Sequence, residues 1–285
     1  MRCNSFIAAC CFAPVALIAQ NTFKITTSAT LKLTGGAVIT LENMHFDNDG
    51  TISLASGDGS FRFTGNTTTH ILGSSIPLFD VVEIAKTGDA QLTLQQNISI
   101  NSGISFSSGI LNLNNYNILL GPTALLNGES ATSYITGSNG GFVEIAKTLN
   151  APSSENPGNL GAIFTSTQNF GNTIIRRGHQ SQTNGSGNGN SILRYYDILP
   201  ANNIALNASF RLSYLDAELN GLDESSLVLW KSLDNINWSN QNFTSRDIAL
   251  NYVEKTNIDA FSRWTLSSVA NALPLIWGAF NTSCV

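Results

Sequence analysis

Short segments in which apolar and polar residues alternate recur along the first half of the chain, separated by Gly, Asn, Ser and Thr. Between positions 20 and 149 they include LKL at 31–33, ISL at 52–54, FRF at 61–63, LTL at 92–94, ISI at 98–100 and LNL at 111–113. Alternation with a period of two is typical of β-strands, and no window there has the i, i+3, i+4, i+7 apolar spacing of an amphipathic helix. The pattern therefore predicts a series of very short strands.

These short segments also recur at a regular spacing. Four of their apolar residues are 21, 40 and 19 residues apart, which is one, two and one units of about 20: Leu31, Ile52, Leu92 and Leu111. The hexapeptide VEIAKT occurs at 82–87 and again at 143–148, three such units later. Short strands at this period are typical of a solenoid. We predict a right-handed parallel β-helix over residues 20–149, with a β-sandwich of the same strands as the alternative.

The second half of the chain has a different rhythm. Residues 150–171 carry two prolines and several small residues, which predicts a linker or a seam between domains. Longer alternating segments follow at 208–214, 226–232 and 261–266, and such alternation indicates an antiparallel sheet with one face in solvent. We therefore expect an all-β chain in which a β-sandwich-like module over residues 172–271 follows the solenoid.

The N-terminus has the features of a secretory signal peptide. Arg2 precedes an apolar run over 6–18, and small residues lie just before Gln20, so we expect residues 1–19 to be removed. That run is shorter than the roughly 20 residues a membrane-spanning helix needs, and we expect no transmembrane segment in the mature chain. Removal would leave Cys284 as the one cysteine, which excludes an internal disulfide and a zinc site built on cysteines. The expected location is extracellular or on the outer cell surface.

The repeats resemble a known class of protein. The stretch SGILNLNNYNILLG at 108–121, with the segments at 78–84, 92–94 and 98–100, resembles the β-helical repeats of large bacterial surface proteins exported by type IX secretion. Residues 174–268 are similar to a β-rich module that follows such repeats, and 272–285 resemble the start of a further C-terminal segment. The resemblance implies an adhesin-like surface protein, truncated before the C-terminal sorting domain of that family.

Composition narrows the classes of partner. The 285 residues include 14 Lys and Arg against 19 Asp and Glu, for a formal net charge of −5, and only 12% are charged. The average soluble domain has roughly 25% charged residues, and the apolar share of 42% is too high for a disordered chain. A net negative charge argues against binding to nucleic acid or to an anionic membrane. A surface rich in Asn, Ser and Thr suits hydrogen bonding to glycans, and with the resemblance to surface proteins it makes extracellular polysaccharide or a surface matrix the partner we expect.

One acidic stretch has part of the pattern of a calcium loop. Oxygen ligands stand at positions 1, 3 and 5, with Gly221 at position 6, which makes the candidate ligands Asp216, Glu218, Asn220 and Glu224. Position 12 is Leu227, where a calcium loop has a bidentate Glu. Asn-Gly is also a strong hairpin signal, so an acidic turn without metal is the alternative. Apart from calcium, no cofactor is predicted.

Aromatic and basic residues of the second module are candidates for ligand contact. Trp238 lies in the polar segment NINWSN at 235–240, which predicts an exposed ring suited to stacking on a sugar. Tyr195 and Tyr196 could contribute to the same platform. His179 follows Arg176 and Arg177 and could bind an anionic group, or it could be a hydrogen-bonded residue at a strand end.

The sequence predicts no catalytic residue. It has no G-x-S-x-G, H-E-x-x-H or phosphate-binding loop motif. Glu83 and Glu144 hold equivalent places in the repeated hexapeptide, and three strand spacings would separate them by roughly 14 Å, more than glycosidic chemistry allows. We therefore expect a non-enzymatic structural or adhesive surface module, with glycans as its candidate ligands. The alternatives are a polysaccharide lyase or hydrolase on a β-helix scaffold, and a calcium-dependent carbohydrate-binding module.

Overall fold

The computed structural model of the protein describes residues 21–54, 57, 59–183, 189–271 and 273. The predicted leader at 1–19 therefore lies outside the described residues, as does the predicted C-terminal segment at 272–285 except for Leu273. The described residues are almost entirely β-structure. Their helices are three short 3-10 turns, and none of them has the length and apolarity to cross a membrane.

The first half forms a β-solenoid of about 6 turns, as the spacing predicts. Its strands are β1 (Asn21–Ile25), β2 (Thr30–Lys32), β3 (Ala37–Glu42), β4 (Met44–Asn48), β5 (Thr51–Ser53), β6 (Gly59–Gly65), β7 (Thr69–Leu72), β8 (Leu78–Lys86), β9 (Gln91–Leu94), β10 (Ile98–Asn112), β11 (Ile118–Leu120), β12 (Leu125–Asn127), β13 (Ser133–Thr136) and β14 (Phe142–Asn150). All pairings among them are parallel.

The period read from the sequence is present in the strand register. One column of paired residues runs through four strands with steps of 21 or 22 residues: Phe61, Val82, Ile104 and Leu126. Two of the predicted steps are direct pairs, because Leu31 lies opposite Ile52 and Leu92 lies opposite Leu111. Inward residues of each turn therefore stack on those of the next.

The repeated hexapeptide does not occupy equivalent places, contrary to the sequence analysis. Val82 lies between Phe61 and Ile104, whereas Val143 lies beside Ile118 in a different column. Glu83 and Glu144 consequently have different neighbours, and the 14 Å estimate for their separation does not apply. The reason is that β11 and β12 both pair with β10, and β14 adds to β11 rather than to the column of Val82.

Aromatic residues fill the interior of the first turns. Phe46, Phe61 and Phe79 are fully buried, with ring centroids 5.3 Å apart for the first two and 4.8 Å apart for the last two. Edge-to-face rings at such distances contribute beyond the area that they bury. The described part of the chain contains no cysteine, so packing and backbone hydrogen bonds hold this part of the fold.

The second half is antiparallel. Its strands are β15 (Ala162–Thr165), β16 (Asn169–Gly178), β17 (Tyr195–Pro200), β18 (Ala208–Ser213), β19 (Leu227–Ser232), β20 (Trp238–Asn242), β21 (Ser245–Asp247), β22 (Tyr252–Ile258) and β23 (Arg263–Ser268). The 3-10 turns are Pro157–Asn159, Asp216–Glu218 and Glu224–Ser226.

One strand joins the two halves into a continuous sheet. Strand β14 pairs with β11 in parallel and with β16 in antiparallel orientation. From β16 the sheet continues through β17, β23, β19 and β20, while β15, β18, β22 and β21 form a second sheet. The two sheets pack face to face through aromatic contacts such as Phe210 on β18 with Trp264 on β23. This arrangement fits the antiparallel, sandwich-like module that the sequence predicts.

The stretch 150–171, predicted as a linker or seam, is mostly packed structure. It contains the 3-10 turn Pro157–Asn159 and strand β15, and Leu160 and Phe164 are fully buried. Phe164 contacts Phe210 and Phe261 of the second half. Residues 150–171 therefore connect the solenoid to the second sheet through the core.

Candidate functional site

A groove crosses three successive turns on the outside of the solenoid. We call it the solenoid groove; it has a volume of about 630 Å³ and is lined by described residues of 86–91, 108–110 and 131–134. Gln91, Ile110 and Tyr134 form one column across β9, β10 and β13, because each lies opposite the next in the strand register. All three side chains are half-buried, so one flank of each stays open to solvent.

The lining of the groove is more apolar than polar, and it carries little charge. Thr87, Ser108 and Thr132 contribute hydroxyl groups to the same lining as Tyr134, and Asp89 is the one carboxylate among the described lining residues. The ammonium group of Lys86 is turned into the wall, where Nζ donates to the carbonyl oxygens of Thr64 (2.8 Å) and Thr67 (3.1 Å). Burial lowers the pKa of Lys86 to about 8.

A second polar feature lies where the solenoid meets the second sheet. We call it the junction cluster; it consists of four buried side chains, Arg177, His179, Arg194 and Glu218, and the half-buried Glu129. Glu129 follows β12, Arg177 is on β16, and Glu218 ends the 3-10 turn Asp216–Glu218. These elements are far apart in the chain and meet through the tertiary fold.

Two ion pairs organise the junction cluster. Arg177 donates from Nη1 and Nη2 to the two carboxylate oxygens of Glu129, each at 2.8 Å. Arg194 Nε lies 2.8 Å from Glu218 Oε2 and donates to Oε1 at 3.0 Å, while its Nη1 donates to the Ser213 carbonyl at 2.9 Å. Glu129 Oε1 also accepts the backbone N–H of Ile135, which ties the cluster to the strand that carries Tyr134.

The neighbours of His179 fix its tautomer. Arg177 Nε donates to His179 Nε2 at 3.3 Å, so Nε2 is the unprotonated nitrogen and the ring is neutral. The proton is then on Nδ1, which faces Glu218 Oε1 at 3.3 Å. Burial lowers the pKa of His179, and the adjacent arginines act in the same direction, against the opposing effect of Glu218. The ring therefore stays neutral near pH 7.

The charges of the junction cluster balance. Burial alone would raise the pKa of Glu218, but the charge of Arg194 and the close approach of His179 lower it to about 2. The pKa of Glu129 is also below its usual value, because the charges of Arg177 and Arg194 outweigh the effect of burial. Two arginines and two glutamates are thus ionised beside a neutral histidine, and the net charge is zero.

A cavity of about 280 Å³ opens beside the junction cluster. We call it the junction cavity; it is lined by Leu126, Gly128, Glu129, Asn156, Asn159, Leu160, Gly161, Arg177, Arg194 and Ser213. Two asparagine side chains form part of its wall, since Asn156 Nδ2 donates to Asn159 Oδ1 and Asn159 Nδ2 donates to the Leu126 carbonyl. The part of the cavity wall that these two side chains form is therefore polar.

Trp238 is not the exposed contact residue that its polar surroundings predict. Its side chain is fully buried and packs with Val228, Trp230 and Leu273 in a small cluster separate from the main core. The preceding turn is closed by Asp234, whose Oδ1 accepts the backbone N–H groups of Ile236 and Asn237. The polar residues make this turn, and the tryptophan begins β20 just after it.

The two predicted tyrosines are also largely covered. Tyr195 lies over Gly178, with the Arg263 guanidinium 4.3 Å from its ring centroid. Tyr196 is fully buried, and its hydroxyl donates to the Leu160 carbonyl at 2.5 Å. Neither ring presents a free face for stacking on a sugar. His179 is likewise enclosed in the junction cluster and has no exposed edge for an external anion.

The four calcium candidates do not converge on one point. Glu218 is turned inward to Arg194, Asp216 accepts from the Asn251 amide, and the Asn220 amide donates to the Ser191 carbonyl. Glu224 begins the next 3-10 turn. Asn220 and Gly221 both have positive φ and form a tight turn, but the flanking strands β18 and β19 belong to different sheets. The described residues hold no group of three or more His, Cys, Asp or Glu placed to bind a metal ion.

No motif in the sequence points to Glu129 or Arg194, and Arg177 stands out there only as a neighbour of His179. One signal is present in the sequence, because Ile175, Arg177 and His179 alternate with Arg176 and Gly178 along the end of β16 and the residue that follows it. A strand that buries Ile175 must turn Arg177 and His179 to the same face. The position of their acidic partners could not be read from the sequence.

Comparison of the chain with protein family models, with curated proteins and with solved structures found no match.

Proposed function

We propose that the chain is an exported, non-enzymatic module of the cell surface that holds polysaccharide against the outside of the solenoid. The solenoid groove carries the proposal, because the Gln91, Ile110 and Tyr134 column places an aromatic ring among amide and hydroxyl groups. An aromatic face packs against the C–H face of a sugar, and neutral polar groups bind its hydroxyls.

The scaffold suits an adhesive or structural role. Parallel strands of the solenoid and antiparallel strands of the second half belong to one continuous sheet, so a load on the groove is carried by backbone hydrogen bonds. Export is proposed from the leader-like residues 1–19 and from the resemblance to surface proteins of the type IX secretion system. Both are features of the sequence.

The groove favours binding over hydrolysis. Glycoside hydrolysis uses a pair of carboxyl groups on either side of the scissile bond. The described lining residues provide one carboxylate, Asp89, and the only amine among them is bonded to two carbonyl groups. This combination supports the expected non-enzymatic role over the alternative of a polysaccharide lyase or hydrolase.

The proposal is tested by applying the full chain to an array of polysaccharides while the same glycans are assayed for reducing ends and unsaturated products. We expect binding without products, and we expect Tyr134→Ala to weaken it. Tyr116→Ala is the matched control, because Tyr116 is a half-buried tyrosine of the solenoid outside the groove. Release of products would contradict the non-enzymatic role. Equal binding by both variants would exclude the groove as the binding site.

A further inference from the structure

Arg194 lines the junction cavity, and one of its guanidinium nitrogens has no hydrogen-bond partner among the described residues. Arg194 is only 3% exposed, and its Nε and Nη1 are bonded to Glu218 and to the Ser213 carbonyl. Its Nη2 is buried and makes no hydrogen bond. Glu129 Oε2 is 4.0 Å from it, which is too far for a direct hydrogen bond. An unpaired donor of this kind is costly, so a group that accepts from Nη2 would bind favourably.

We propose that the junction cavity is a binding site for an uncharged sugar residue, such as the end of a glycan chain. A hydroxyl group is both a donor and an acceptor. One hydroxyl can accept from Arg194 Nη2 and donate to Glu129 Oε2, and so bridge the 4.0 Å gap between them. A carboxylate could satisfy Nη2 but would lie against Glu129, and an ammonium group could only satisfy Glu129.

The charge of the site also selects a neutral ligand. Arg177 and Arg194 are balanced by Glu129 and Glu218, and His179 is neutral. Any ionic ligand would leave an uncompensated charge beside the buried groups of Arg177 and Arg194, which is costly. A sugar adds no net charge, and its hydroxyl groups can hydrogen-bond to both the arginines and the glutamates of the site.

The size and the remaining walls fit one sugar residue. The cavity volume of about 280 Å³ is just below the range for drug-sized ligands, roughly 300–1,000 Å³, as a single sugar residue requires. Asn159 keeps a free lone pair on Oδ1 and a second N–H on Nδ2 after its bonds to Asn156 and to the Leu126 carbonyl. These groups can bind further hydroxyls.

This inference extends the proposed function, because it assigns a second subsite for sugar, and it stands on different residues. The test is saturation-transfer NMR of the full chain with a panel of uncharged monosaccharides, an uronic acid and an amino sugar. We expect transfer to at least one uncharged sugar. Transfer to none of them, or to the uronic acid alone, would overturn the inference.

Two serines of β18 provide a matched pair of variants. Ser213 lines the junction cavity, whereas Ser209 is on the same face of the strand outside it, and both are half-buried. Ser213→Leu fills the cavity without altering any ion pair, and we expect it to weaken sugar binding roughly tenfold or more. Ser209→Leu should bind as the unmodified chain does. Unchanged binding by Ser213→Leu would overturn the inference.

Two further variants separate this site from the groove and test its charge. Glu129→Gln leaves the cavity with one net positive charge, so we expect the preference to change from the neutral sugar to the uronic acid; an unchanged preference would count against the site. Tyr134→Ala should keep the monosaccharide signal even where it weakens polysaccharide binding. Loss of both in Tyr134→Ala would assign the monosaccharide to the groove and overturn the inference, while the proposed function would stand.

Discussion

Arg177 and Glu129 clamp the antiparallel half of the protein to the last turns of the solenoid. The guanidinium meets both carboxylate oxygens at 2.8 Å, although 48 residues separate the two in the chain. The Arg177 side chain is 1% exposed and that of Glu129 is 12% exposed, so solvent screens the pair only weakly. The same carboxylate accepts from the backbone of β13 and lines the junction cavity.

Removal of one member of this pair should be strongly destabilising. Arg177→Met leaves Glu129 as a buried carboxylate without its bidentate partner, and we expect a loss of about 3–5 kcal/mol in the free energy of unfolding. Arg176→Met is the control on the adjacent residue, whose bond to Glu144 is partly exposed, and it should cost about 0–1 kcal/mol. Urea denaturation followed by tryptophan fluorescence measures both. Equal losses would show that Arg177 and Glu129 do not form a clamp.

Stability should fall in acid in two stages. Burial lowers the pKa of His45, His70 and His179 below the ordinary value of 6.5, so the unfolded chain binds protons more readily than the folded protein. The free energy of unfolding is therefore expected to decrease as the pH falls below about 6.5.

The second stage comes from the glutamates of the junction cluster. The pKa of Glu218 is about 2 in the folded protein against an ordinary 4.5, and its contribution is present above 4.5 and lost as the pH falls towards 2. Thermal melting from pH 8 to pH 3 should show both stages. His70→Gln should reduce the loss between pH 7 and pH 5, and a flat profile in that interval would contradict the histidine contribution.

Replacement of Gly178 by a residue with a Cβ should destabilise the protein as long as Tyr195 is present. The ring of Tyr195 lies directly on Gly178, where a Cβ would overlap it. Gly178→Ala must displace the ring from its position under Arg263, and we expect a loss of about 1–3 kcal/mol from overpacking.

The double variant distinguishes overlap with the ring from a requirement of the backbone. If overlap is the cause, Gly178→Ala should cost less in a Tyr195→Ala background than in the unmodified chain, as a double-mutant cycle by urea denaturation would show. The same cost in both backgrounds would assign the effect to the backbone of β16.

Calcium should leave the melting temperature unchanged. Glu218, the candidate ligand at position 3, is bonded to Arg194 in the junction cluster, and the Asn220 amide is bonded to Ser191. A ligand that binds the folded state raises its stability in proportion to the logarithm of concentration, so differential scanning calorimetry at millimolar calcium tests this directly. A rise that EDTA reverses would restore the calcium-dependent module as the better account.

The sequence by itself determined the local structure of this protein. Alternation of apolar and polar residues over three positions, as in LKL at 31–33 and LTL at 92–94, predicts strands. A spacing near 20 residues predicts that these strands stack as a solenoid, and the register confirms it. The inward and outward faces of a strand follow from the order of apolar and polar residues next to one another in the chain, so the sequence is enough to predict them. The longer alternating strands of the second half were readable for the same reason.

Register was decided by the tertiary structure. Identical hexapeptides at 82–87 and 143–148 lie in different columns, because β11 and β12 both pair with β10 and β14 adds to β11. The hexapeptide itself cannot encode which strand its own strand will pair with. The burial of Trp238 is likewise not predictable from its neighbours in the chain, since the residues that cover it include Leu273, which is 35 positions away.

The candidate sites follow the same division. Tyr134 is on a recognisable alternating strand, but its alignment with Gln91 and Ile110 depends on the register of three turns. His179 and Glu218 were singled out for separate reasons, and the fold brings them together around Arg177 and Arg194. Alternation along a strand predicts which side chains share a face of the sheet. Only the packing of the two sheets against the solenoid decides which charges meet there, because ion pairs form between residues that are distant in the chain.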